Sequence, residues 1–370
     1  MSQISRTLLV SAAAMSLALT AAACGKAGSS SSSSSASGSV AASSLSGKIG
    51  LLLPENQTTR YEKFDRPFFE AKMKTLAPNV TVEYANAAGS AATQAQQVTT
   101  MINAGVKVLV VDPVDAAAIK ASVVAASTKG IKVVSYDRLS QGPADAYVSF
   151  DNIKVGQLQG QGLLNVLGSK ATTSAKVVEI DGDSADPNAA DFKSGFQGVV
   201  KDKLDLAYDA SGLWKADVAA QKAAAAINQL GAKNIAAFYS ANDGMAAGIA
   251  TSMKNAGISN LPLTGQDAQL DAIQRIMVGT QSFTIYKAYQ PEADAAAELA
   301  TELMSGNSIS SLATTTKTNG SGNKVPSDLL TPVLVKADNV KDTVVKDGLY
   351  TVAQICTSAY AAGCKANGLS

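Results

Sequence analysis

The chain has 370 residues, 46 % of them hydrophobic, with 31 Lys and Arg against 30 Asp and Glu for a net charge of +1. That length suits roughly two domains, each with its own core. Charge this evenly balanced argues against a nucleic-acid or anionic-membrane surface, and the lack of any histidine removes the commonest general base and the commonest metal ligand.

At the N-terminus Arg6 precedes an apolar run over residues 8–23 that ends in small residues. This is the form of a secretory signal, and it is short for a membrane span. The junction Ala21-Ala22-Ala23-Cys24 has two readings, an A-x-A cleavage site and a lipobox with Ala21 in the usual place of Leu. A cysteine directly after the cleavage point favours the second, which makes Cys24 a lipidated first residue. Residues 24–47, with a serine tract at 29–35, then form a flexible tether. The expected product is an exported body held by lipid alone at the outer face of the cytoplasmic membrane, with residues 1–23 removed.

From residue 48 the pattern alternates. Apolar strands are expected at 48–54, 80–84, 106–111 and 131–136, with helices at 64–76, 93–104 and 115–129. A further strand at 147–150 ends in Asp151-Asn152. A second series follows, with strands at 175–182, 204–209, 235–240, 261–264 and 283–286. Its helices are expected at 152–167, 189–200, 216–230, 244–256 and 270–278, and one more at 291–304. A loop at 319–326, a strand at 329–335 and a polar end complete the chain. Strands with few polar residues, separated by helices, imply an α/β fold of doubly wound parallel sheets covered on both faces.

In such sheets ligands bind outside the carboxyl ends of the strands. Asp137 and Arg138 stand at one such end, in Tyr136-Asp137-Arg138. A carboxylate beside a guanidinium suits a neutral, hydroxyl-rich ligand, because one accepts, the other donates in a fixed fork, and the charges compensate. A surface ion pair is the alternative reading. The second series repeats the arrangement at every strand end. Asp181-Gly182-Asp183 leads to Asn188, and Trp214-Lys215, Asn242-Asp243, Gly265-Gln266-Asp267 and Tyr286-Lys287 follow. Helix capping is the competing account of Asn242, Asp243 and Asp267. The single tryptophan, Trp214, offers a broad apolar face to a ligand, with a core plug as the alternative reading. The run Asp181-x-Asp183-x-x-Asp186 lacks the Gly and Glu of a calcium loop, so it reads as a strand-end turn, and no metal is expected. Cys356 and Cys364, close together in an exported chain, are expected to form a disulfide.

The motifs YDR at Tyr136, SFDN at Ser149, GQDA at Gly265, YK at Tyr286 and VPSDLLTP at Val325 carry a resemblance. From Lys48 to about Tyr350 the chain resembles the type I periplasmic sugar-binding proteins of ABC importers, and within them the D-xylose-binding family. The resemblance implies two α/β domains joined by three crossover strands, with a sugar in the cleft between them. The first domain would hold residues 48–150 and 288–326, the second 151–287 and 328–350, with a Cys-bearing tail at 351–370. The implied sugar-binding residues are Arg60, Tyr61, Asp137, Arg138, Asn188, Trp214, Asn242, Asp267 and Lys287, with Tyr61 where the family carries Trp. The implied ligand is a monosaccharide, xylose or a related aldose such as glucose. An ABC permease is the partner, and the protein is a monomer that needs no cofactor. A binding protein that feeds a chemoreceptor or sensor kinase would share this core. A glycoside-active enzyme would need two carboxylates set across a bond, and Asp137 and Asp267 each have a neighbour suited to binding instead.

Overall fold

The computed structural model describes residues 44–369. The signal segment, Cys24 and the serine tract lie outside the described residues. The first series comprises β1 (Gly47–Leu53), β2 (Val80–Asn86), β3 (Val108–Val111), β4 (Lys132–Tyr136) and β5 (Ala146–Phe150), interleaved with α1 (Arg66–Leu76), α2 (Ala91–Ala104) and α3 (Lys120–Thr128). The second runs α4 (Asn152–Leu167), β6 (Lys176–Asp181), α5 (Pro187–Val200), β7 (Asp205–Ser211), α6 (Ala216–Leu230), β8 (Ile235–Ser240), α7 (Asp243–Asn255), α8 (Leu270–Met277) and β9 (Thr284–Tyr286). After it come α9 (Tyr289–Ser305), β10 (Thr315–Thr318), β11 (Lys324–Leu330), β12 (Val333–Val335), α10 (Val352–Ile355) and α11 (Ala361–Ala366).

One sheet has the order β10-β11-β5-β4-β3-β1-β2, and only the β10–β11 pair is antiparallel. Its inner strands are continuous apolar runs because helices cover both faces. Val98, Met101, Ile119 and Val123 pack on Leu52, Leu109 and Val133 from one side. Ala293, Ala296, Ala297 and Ala300 of α9 pack near Val110, Val134 and Val148 on the other. A second assembly pairs β7-β6-β8 in parallel and β9 with β12. Residues 263–267 join the two parts, since Leu263 bridges Phe238 of β8 while Gly265 and Asp267 bond Ile285 of β9. Helices α4 and α5 meet closely here. A Cβ at Gly156 would lie 2.0 Å from the Phe192 carbonyl oxygen, so glycine is required for this approach.

Three expectations need correction. The strand expected at 261–264 is a single bridge, because its edge is satisfied by side chains, with Thr264 Oγ1 bonded to both the N–H and the carbonyl of Ser240. The strand expected at 329–335 is two strands, β11 beside β5 and β12 beside β9, broken at Thr331-Pro332 where proline has no N–H to donate. The loop expected at 319–326 lies largely within a hairpin, since residues 324–326 pair with 316–318 of β10, and β11 then continues beside β5 from Ser327. The C-terminal end also packs. Ile355, Cys364 and Leu369 are buried against Ile273, Ile276 and Met277 of α8, and Cys356 is disulfide-bonded to Cys364.

Candidate functional site

The carboxyl ends of strands from both assemblies face one cavity. All nine candidate residues line it. Arg60 and Tyr61 follow β1, Asp137 and Arg138 follow β4, and Asn188 opens α5 after β6. Trp214 follows β7, Asn242 follows β8, Asp267 precedes α8 and Lys287 follows β9. Except for the half-buried Trp214, each is at most 4 % exposed, so a ligand enters only if the two edges part.

Arg60 is held mainly by protein. Its Nε and Nη2 donate to Asp65 at 2.8 and 2.6 Å, Nη2 also donates to Glu292, and Nη1 donates to Asp137 at 3.1 Å. Of the five guanidinium N–H groups, one remains for the cavity. Burial opposes the charge, but Asp137, Asp65 and Glu292 outweigh it and hold Arg60 protonated well above the usual range. Arg138 is tied in the same manner, with Nε 3.0 Å from Asp186 and 3.5 Å from Asp112, and Nη2 donating to the Tyr61 hydroxyl at 3.0 Å. Lys287 Nζ lies 3.2 Å from Asp267 and 4.0 Å from Asp137, bridging the two edges. Each cation is thus compensated, and the cavity presents no uncompensated positive charge to a ligand.

Two of the cavity aspartates have left-handed backbone, with φ 55° at Asp137 and 97° at Asp267. Such strain persists only where the surroundings over-determine it. The Asp137 carbonyl accepts from the Tyr147 hydroxyl and from Asn188 Nδ2, both at 3.0 Å. The Asp267 N–H donates to Ile285, and its carbonyl accepts from the Tyr289 hydroxyl. Burial pushes the Asp137 carboxyl up, but Arg60, Lys287 and Arg138 outweigh it and hold it below the ordinary carboxylate value. Burial dominates in the other carboxyls around the cavity. Glu292 rises to about 8, Asp186 to about 6, and Asp112 well above the ordinary value.

Asn242 caps a helix and also lines the cavity. Its Oδ1 caps α7 by accepting from the Met245 N–H at 2.9 Å, which leaves its amide N–H groups for the cavity. Asp243 is instead a buried scaffold, accepting from Gln269, Gln281 and Thr284. The Trp214 indole meets Phe192 edge-on at 6.3 Å between ring centres. It lies so close over Gly182 that a Cβ there would sit 2.0 Å from Cζ2, which gives the Asp181-Gly182-Asp183 turn a role in seating the ring. Thr58, Asp186, Phe192 and Gln266 also line the cavity, and sequence reasoning missed them as site residues. Phe192 was recoverable, since it lies four residues after Asn188 on one face of α5. Asp186 was masked by the calcium-loop comparison, and its partner is Arg138.

Residues 49–308 match the family model described as a periplasmic binding protein domain. Over 323 residues the chain is 36 % identical to the D-xylose-binding periplasmic protein of Escherichia coli K12, across 85 % of this chain and 94 % of that protein. A multiple sugar-binding periplasmic receptor of Rhizobium radiobacter is 31 % identical over 332 residues, across 84 % and 92 %. A solved ABC transporter solute-binding protein from Clostridium phytofermentans, with bound β-D-glucose, is similar at a TM-score of 0.76 and 26 % identity, covering 83 % of this chain and 99 % of that one. With its parallel sheets facing one compensated cavity, the chain belongs to the type I periplasmic sugar-binding proteins of the ABC transporter family.

Proposed function

We propose that the chain captures one neutral aldose, D-xylose or a relative such as D-glucose, and delivers it to an ABC permease. The observation that carries this reading is the cavity, in which three buried cations are each matched by carboxylates. Such a cavity donates and accepts hydrogen bonds without favouring a charged ligand, and Trp214 and Phe192 offer apolar surface to the C–H side of a ring. Relatives named for D-xylose and for multiple sugars support the class. The two domains of this reading comprise residues 48–150 with 288–326 and 151–287 with 328–350. Cys24, lipidated, would tether a monomer to the outer face of the cytoplasmic membrane. Calorimetry with a panel of aldopentoses and aldohexoses tests the ligand, and failure of every member to bind removes the proposal. Cys24→Ser should move the protein from membranes to the soluble fraction, and retention on membranes would refute the anchor.

A further inference from the structure

A second cavity adjoins the first, sharing Arg138 and Trp214 as a common wall. Gln57 and Val114, which follow β1 and β3, line one side, and Leu213 and Lys215, which follow β7, line the other. It therefore lies between the same two sheet edges as the inner site.

Three features distinguish this wall. Leu213 is 41 % exposed although it is a large apolar side chain, and it lines only the outer of these two cavities. It and Trp214 also hold consecutive left-handed backbone, at φ 55° and 59°, a conformation that disfavours both residue types. Trp214 adds a buried indole N–H with no hydrogen-bond partner, on the side chain that borders both cavities. Strain, an exposed apolar surface and an unpaired donor thus coincide on two adjacent residues at the junction. Apolar surface beside polar side chains is what the C–H faces and hydroxyls of a sugar require.

We propose that the outer cavity is a second sugar subsite, so that the protein accepts a disaccharide with one ring in the inner cavity and the other against Leu213 and Trp214. This rests on the sugar-capture reading above. The test is calorimetry of D-xylose and D-glucose beside their disaccharides in α-1,4, β-1,4, β-1,3 and α-1,6 linkage. At least one disaccharide should bind one to one, within about tenfold of its monosaccharide. Leu213→Asn keeps a residue that tolerates the left-handed backbone and removes the apolar contact. It should weaken that disaccharide about fivefold or more and leave the monosaccharide within about twofold. Val114→Trp, on the opposite wall, should block the disaccharide alone. Monosaccharide binding with no disaccharide bound, or equal losses for both ligands in the two variants, overturns the subsite and leaves sugar capture standing. Absence of both kinds of binding overturns the underlying reading and the subsite with it.

Discussion

Three buried cations and their carboxylate partners dominate the site, and the carboxylates are not equivalent. Asp137 is held ionised by three cations, whereas Glu292 is raised by burial to about 8 from an ordinary 4.5. A carboxyl whose folded value exceeds its unfolded value takes up protons on folding. Its contribution to stability is then full below the unfolded value and is lost as pH rises through the folded one. For Glu292 that window runs from 4.5 to about 8. Between about pH 5 and 8 the melting temperature of the wild type should therefore fall more steeply than that of Glu292→Gln. Parallel slopes would show that Glu292 is ionised in the fold. Gly182 allows a second test. A methyl group there would displace the Trp214 ring, so Gly182→Ala should alter tryptophan emission and weaken aldose binding by about 1 kcal/mol or more, measured by titration. Unaltered emission and affinity would mean that the ring is not seated on that turn.

The junctions after β1, β4, β6, β7, β8 and β9 contribute most of the cavity side chains, and the elements behind them need support. Helix α8 begins just after Gln266 and Asp267, and it leans on the C-terminal tail through Ile273, Ile276 and Met277. Asn367 Nδ2 donates to the Met277 carbonyl at 3.2 Å, and the Cys356–Cys364 bond closes the tail on itself. Closing a loop this short contributes about 2–3 kcal/mol in the chain-entropy model. Replacing both cysteines by Ala should lower stability by about that amount in denaturant titration, while aldose affinity stays within about twofold because no tail residue lines the inner cavity. A large loss of affinity at unchanged stability would show that the tail positions Asp267.

At the scale of the molecule, the two sheet edges are fastened across the cavity by protein groups alone. Arg138 bonds Asp186, Asn188 bonds the Asp137 carbonyl, and Lys287 reaches both Asp137 and Asp267. Each of these bonds needs both edges in place, so they favour the form in which the edges meet. Asp186→Asn removes the ion pair and should hasten sugar release about fivefold or more in stopped-flow measurements. An unchanged release rate would assign the pair to scaffolding. A ligand at 100 times its dissociation constant should also add about 2.7 kcal/mol of stability.

Alternating apolar strands and helices, with polar residues at successive strand ends, were enough to expect doubly wound α/β sheets and seven of the nine residues on one ligand-facing edge, while Arg60 and Tyr61 were implied only by the family resemblance. That much is local, because periodicity sets burial and the carboxyl end of a parallel strand is where the chain turns outward. The division of roles among the nine was not local. Arg60 faces Asp65, Glu292 and Asp137, which are 5, 232 and 77 residues away, and only the packing of α9 against the first sheet brings Glu292 into reach. Likewise residues 324–326 look like part of a polar, proline-bearing loop and are strand because β10 folds back to pair with them. Residue type and spacing determined which groups stand at the cleft. Tertiary contact alone decided which of them neutralise one another and which remain to meet a ligand, because compensation of buried charge depends on distances that sequence separation does not encode.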